Sequence, residues 1–163
     1  MTPDAGTGGI EVLVEGGDWG FGPADAAGLA REAAEAALAA ADARGGLAIL
    51  LADDARLADL NAAFRSKAGP TNVLSFPAPA NPGGWLGDVA LAFETCRGEA
   101  EAQDKRFEHH LQHLVAHGVL HLVGYDHETD EEAAEMEGLE TEILAGLGAP
   151  DPYAAERGDH GQS

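Results

Sequence analysis

LAILLAD, residues 47–53, is apolar for six residues and then stops on an acid. A run that short and that continuous suits a central, buried strand, because a half-exposed strand alternates apolar with polar. IEVLVE (10–15) does alternate, with Ile10, Val12 and Val14 set against Glu11 and Glu15, and is expected to be a half-exposed strand. Between them, PADAAGLAREAAEAALAAADARGG opens on Pro23 and closes on Gly45 and Gly46, a helix with its start and stop signals in place. After the central strand, Asp53 or Asp54 can cap a helix running to about Lys67 and ended by Gly69 and Pro70.

TNVLSF (71–76) and GDVALAF (87–93) read as two further strands. They are joined by PAPANPGGW, a loop rich in proline and glycine. Residues 94–102 form a short helix and 104–122 a longer one, with Leu111, Leu114, Val115 and Leu122 as its core stripe. Beyond Gly124, Thr129 and Glu132 make a T-x-x-E capping box for a last helix, which carries Met136, Leu139, Ile143, Leu144 and Leu147 on one face. From Gly148 the chain turns polar and is expected to fray. Interleaved strands and helices with a helix-rich final third predict an α+β fold: one domain, a mixed four-stranded sheet packed against about five helices. The domain is expected over 9–153, with flexible ends at 1–8 and 154–163.

The chain has 163 residues, the size of one domain, and a formal net charge of −20. That charge opposes a grip on naked nucleic acid, where Lys and Arg displace counterions from phosphates. It is unevenly spread. Residues 128–163 hold eleven acids and one base, whereas residues 56–106 hold six of each, so a neutral or locally basic face around Arg65, Lys67, Lys105 and Arg106 stays open. The opening MTPDAGTGG lacks a basic region followed by an apolar run, and no membrane-length apolar segment occurs, so a cytoplasmic protein with no membrane partner is expected. Cys96 is the single cysteine, which leaves any metal to His and carboxylate ligands.

HGVLHLVGYDH (117–127) holds three of the seven histidines. At about 100° per residue, His117 and His121 lie one turn apart on one face, so both rings can reach one point. His127 would stand roughly 15 Å further along a continuous helix, too far to share that point. The helix must therefore stop, and Gly124 can take the left-handed turn that swings His127 back. The stretch reads as a three-histidine metal site, with an open coordination position suited to catalysis. It matches the metalloprotease pattern H-E-x-x-H-x-x-G-x-x-H except that Gly118 replaces the Glu, the general base of peptide hydrolysis. His113 either supports the site from behind or packs, and Asp126 either orients an imidazole or is an exposed turn residue. His110 and His160 have no supporting context.

These residues, with EEAAEMEGLETEIL, LGAPDPY, LNAAFRSKAGPTNVLSFP and LGDVALAF, strongly resemble the YbeY family, the bacterial endoribonuclease and rRNA maturation factor. The resemblance spans about residues 47 to 153. It implies one Zn2+ per chain on His117, His121 and His127, and places the family arginine at Arg65, so that Arg65 and His117 are the expected catalytic residues. A helix-end arginine is otherwise a common surface ion pair, but a guanidinium can clamp two phosphate oxygens and offset charge on phosphorus. The chain departs from the family's T-D-V-L-S-F at Asn72, which keeps the shape of the acid but not its charge.

The resemblance further implies a zinc-dependent, single-strand-type endoribonuclease acting in rRNA maturation at the small-subunit 3′ end and in ribosome quality control. Its implied partners are ribosomal RNA, the small ribosomal subunit, a small-subunit protein and the GTPase Era. Two alternatives stand beside it: a metal-dependent hydrolase of an amide or peptide bond, which Gly118 counts against, and a non-enzymatic ribosome assembly factor with a structural zinc.

Overall fold

A computed structural model describes residues 9–16, 22–65, 72–79, 81–125 and 128–153. Nine elements follow one another among them: β1 (Ile10–Val14), α1 (Gly22–Ala40), β2 (Gly46–Ala52), α2 (Asp54–Arg65), β3 (Val73–Pro77), β4 (Trp85–Ala92), α3 (Phe93–Ala102), α4 (Phe107–Leu122) and α5 (Asp130–Gly146). The sheet order is β1-β2-β4-β3. β2 runs parallel to β1 and β4, and β3 closes the other edge antiparallel to β4. This is the expected mixed four-stranded α+β arrangement with five helices.

The continuous apolar run of β2 follows from cover on both faces. Leu47, Ile49 and Leu51 are fully buried on one side with Val89 and Leu91, under α1, α4 and α5. On the other side Ala52, Ala90 and Ala92 pack with Leu57 and Leu74, and Leu50, Leu60 and Phe76 lie against them. Cover there is thinner, and a groove of about 400 Å³ stays open along Leu13, Leu50, Leu60 and Phe76. On the thick side, Ala26, Ala30, Ala33, Ala34 and Ala37 put one methyl-sized face of α1 inside the core. Small side chains at helical spacing let α1 come close to α4; α1 lies over β1 and α4 beside it over β3 and β4, and the histidines of α4 turn toward α5.

Several boundaries differ from the sequence reading for local reasons. α4 starts at Phe107 rather than 104, because Asp104 takes a left-handed turn (φ 57°) that ends α3. There Asp104 N donates to Glu101 O and Lys105 N to Ala100 O, the bonding that normally marks a glycine stop. The Pro and Gly loop is also shorter than expected. Pro77 belongs to β3 and Trp85 to β4, with Asn81 pinning the turn through Trp85 N and Trp85 O. The chain does not fray from Gly148: Gly148 (φ 84°) closes α5, and Ala149 and Pro152 beyond it are buried. The N-cap of α2 is Asp53, which accepts from Arg56 N, while Asp54 instead holds Thr95 at the start of α3. The stop at Gly69 and Pro70 and the two expected flexible ends lie outside the described residues.

Candidate metal centre

α4 buries Leu111, Leu114, Val115, Val119, Leu120 and Leu122 against the core. His110, His113, His117 and His121 then fall at steps of three, four and four, which keeps them on one stripe. The His117 and His121 rings stand edge to face with centroids 4.6 Å apart, and their Nε2 atoms are 3.1 Å apart. Each Nδ1 is held from behind. His121 Nδ1 meets the Tyr125 carbonyl oxygen at 2.9 Å and His117 Nδ1 meets Glu140 Oε2 at 2.6 Å. A carbonyl or a carboxylate accepts, so both Nδ1 atoms donate, and in the neutral rings that ligate metals both Nε2 atoms present lone pairs to the same point.

The stop after α4 makes this possible. Gly124 has φ 107°, Gly124 N donates to His121 O and Tyr125 N to Leu120 O, which together form the Schellman ending of a helix. The same turn brings the Tyr125 carbonyl over His121. The left-handed turn expected at Gly124 is therefore present. The residues it is expected to deliver, Asp126 and His127, lie outside the described residues.

Sequence reasoning misses Glu140, yet the site is built around it. It is fully buried on α5, and its Oε1 meets His113 Nε2 at 2.8 Å and accepts from the Tyr153 hydroxyl. Burial pushes its carboxyl up, but the hydrogen bonds of His113 and His117 outweigh that and bring it to about 2. The readable signal is an acid four residues after Met136 and three before Ile143, inside the apolar stripe of α5. His113 thus shares the Glu140 carboxylate with His117. His110, to which the sequence assigns nothing, is also buried and meets Glu99 Oε1 at 2.9 Å; burial lowers its basicity despite that acid. Asn72 donates to both oxygens of Glu99, at 3.1 and 3.3 Å.

These groups share one polar cleft of about 260 Å³, whose walls include Asn72, Glu99, Lys105, His110, His117 and Tyr153. Lys105 Nζ ties the cleft to the C-terminal turn by donating to Pro152 O at 2.7 Å. Arg65 is the last residue of α2, as its helix-end reading expects; the placement of its side chain lies outside what is described. Gly118 lies about 100° round the helix from His117 and faces the sheet. A Cβ there would meet Val89 Cγ1 at 2.7 Å and Ser75 Oγ at 3.2 Å, so the position where the protease pattern carries Glu faces the sheet with no room for one.

The donor set fits a divalent ion. Nitrogen ligands at about 2.0–2.1 Å in a tetrahedral arrangement stand about 3.3–3.4 Å apart, close to the 3.1 Å between the two Nε2 atoms. Among the described residues no group of three His, Cys, Asp or Glu side chains converges as a metal cluster. Two imidazoles do converge.

The chain is similar to known proteins over most of its length. Residues 23–148 match the family described as Endoribonuclease YbeY. A Bradyrhizobium diazoefficiens protein named Endoribonuclease YbeY is 49% identical over 160 residues, covering 92% of this chain and 87% of its own. One of the same name from Azorhizobium caulinodans is 54% identical over 153 residues, with 89% and 96% covered. The solution structure of a Thermotoga maritima protein superposes with a TM-score of 0.61 at 25% identity, covering 92% of this chain and 93% of that one. With its histidine stripe, its glycine stop and these relatives at about half identity over nearly the whole length, the chain belongs to the Endoribonuclease YbeY family.

Proposed function

We propose that this protein is a metal-dependent endoribonuclease that processes ribosomal RNA, with one zinc ion held by His117, His121 and His127. The observation that carries the reading is the pair of Nε2 atoms 3.1 Å apart, each fixed by an acceptor on its Nδ1. Family membership supplies the nuclease class, since the relatives are named endoribonucleases. When bound, zinc supplies a Lewis acid for a phosphate oxygen. This chain's own residues do the rest. Arg65 clamps the phosphate and offsets its charge, His117 serves both as ligand and as a wall of the cleft, and Asp126 helps to orient the third imidazole.

The biological setting follows the family resemblance: maturation of the small-subunit 3′ end and ribosome quality control in the cytoplasm. No helix among the described residues is long and apolar enough to cross a membrane. A chain of net charge −20 docks more readily on basic proteins than on naked RNA. The family resemblance implies a small-subunit protein and the GTPase Era as partners, and we propose that such a partner brings the substrate within reach.

Peptide hydrolysis is disfavoured by the packing of Gly118, which leaves the protease base no room. A purely structural zinc is disfavoured by the core, because the buried cluster runs through α1, β2, β4, α4 and α5 independently of the histidine stripe. The test is zinc content together with cleavage of structured RNA, for the wild type and His121→Ala. One zinc and cleavage are expected in the first, and neither in the second. Undiminished cleavage by a zinc-free His121→Ala protein would remove the metal from the reaction.

A further inference from the structure

Glu140 is the only fully buried acid among the described residues, and it serves two histidines at once. Oε2 meets His117 Nδ1 at 2.6 Å and Oε1 meets His113 Nε2 at 2.8 Å, while the Tyr153 hydroxyl donates to Oε1. The two imidazoles are therefore engaged through opposite nitrogens. A carboxylate only accepts, so His117 carries its proton on Nδ1 and His113 carries its proton on Nε2. For His117 this frees Nε2 to face His121. For His113 it directs the outward nitrogen into the acid, and its Nδ1 is buried without a hydrogen-bond partner. His113 cannot act as a ligand while Glu140 holds it.

We propose that Glu140 is the positioning residue of this site: one carboxylate fixes the tautomer and ring direction of His117, and at the same time commits His113 to a supporting role. Tyr153 completes the device from the C-terminal turn. Its backbone N donates to Asp151 Oδ1 at 2.8 Å, and Lys105 Nζ holds Pro152 O, so the hydroxyl is delivered to Glu140 from an anchored segment. Fixing a ligand from behind in this way improves its alignment, and losing such a partner typically weakens metal binding by about 10–100-fold.

This proposal rests on the metal-site reading for its affinity test but not for its structural one. Long-range proton–nitrogen NMR of the metal-free, full-length chain reports the tautomer of each histidine directly. His117 is expected with its proton on Nδ1 and His113 on Nε2; finding Nδ1 of His117 without a proton overturns the proposal. Zinc affinity is then measured by competition with a chromophoric chelator for the wild type, Glu140→Gln and Glu140→Asp. A loss of about 10–100-fold is expected in Glu140→Gln. Glu140→Asp should not restore affinity, because the shorter acid keeps the charge but cannot span both rings. Wild-type affinity in Glu140→Gln, or full rescue by Glu140→Asp, overturns the bridging role. A wild type that binds no zinc overturns the metal reading alone, and the spectra then decide the positioning role: Glu140→Gln must release the fixed tautomer of His117 or of His113, because its amide presents one acceptor and one donor where the carboxylate presents two acceptors. Should Glu140→Gln fail to fold, the wild-type spectrum still decides between the two tautomers of His117.

Discussion

Gly118→Ala tests whether the missing protease Glu is a matter of packing or of chemistry. An added methyl would lie 2.7 Å from Val89 Cγ1, 3.3 Å from Val89 Cγ2 and 3.2 Å from Ser75 Oγ. Val89 is fully buried in β4, and its short β-branched side chain has little rotamer freedom to swing aside. α4 must then lift from the sheet, which also strains the hydrogen bond from Ser75 Oγ to Gly118 O at 3.0 Å. Overpacking of this kind costs about 1–3 kcal/mol, and the hydrogen bond adds about 0.5–1.5 kcal/mol if lost. Against this, alanine in place of glycine inside a helix favours the fold by about 1 kcal/mol. The balance is a loss of about 2 kcal/mol, or roughly 4–8 °C in Tm for a chain of this size. Thermal and urea unfolding of Gly118→Ala, Val89→Ala and the double variant measure it. The double variant should be more stable than the sum of the two single changes predicts, because Val89→Ala makes room for the new methyl. A Gly118→Ala protein as stable as the wild type, or more stable by the helix-propensity gain alone, would refute the packing argument.

Three further outcomes are expected. Arg65→Ala should keep zinc and fold yet lose most RNA cleavage, with Arg65→Lys recovering little since an ammonium cannot make the paired phosphate contact; unchanged cleavage by Arg65→Ala would return it to a surface role. Burial pushes the Cys96 thiol well above its usual range, so the folded protein should resist alkylation at about pH 8.5, where an ordinary cysteine is half ionised. Mass spectrometry before and after unfolding checks this, and rapid labelling of the native chain would contradict it. Thr129→Ala removes the oxygen that accepts from Glu132 N at 3.0 Å and should cost about 1 kcal/mol, read as a lower urea midpoint with unchanged slope.

Where the fold is legible in the sequence, one residue or one run carries one local decision. The apolar run of 47–52 demands cover on both faces, the Thr129 and Glu132 pair announces α5, and Gly124 announces the stop after α4; each is present. The stop at Asp104 is hidden because a left-handed turn usually advertises itself with glycine, and this one does not. Tyr153 is lost for a similar reason: the polar tail that suggests fraying begins beyond a turn whose Ala149 and Pro152 are buried. His117 and His121 can be paired from helical spacing alone, because both lie on one element. Glu140 cannot be assigned to them, since its partners come from another helix and nothing local says which face of α5 meets α4.

At Asn72, where the family resemblance leads one to expect an aspartate, the structure shows what an amide does on the wall of the cleft. Its Nδ2 donates to Glu99 at 3.1 and 3.3 Å, and Glu99 Oε1 also meets His110 Nε2 at 2.9 Å. An aspartate in the same place could not donate. It would set a second carboxylate against Glu99 at similar range, and like charges about 3–4 Å apart repel by about 4–5 kcal/mol at an effective dielectric of about 20. Such a pair holds together only by sharing a proton or a cation. Asn72 removes that requirement and leaves Glu99 held by an amide on one side and by His110 on the other. On the wall of the cleft Asn72 thus makes a neutral contact that needs no shared proton or cation, beside the hydrogen bonds that hold His117, His121 and Glu140.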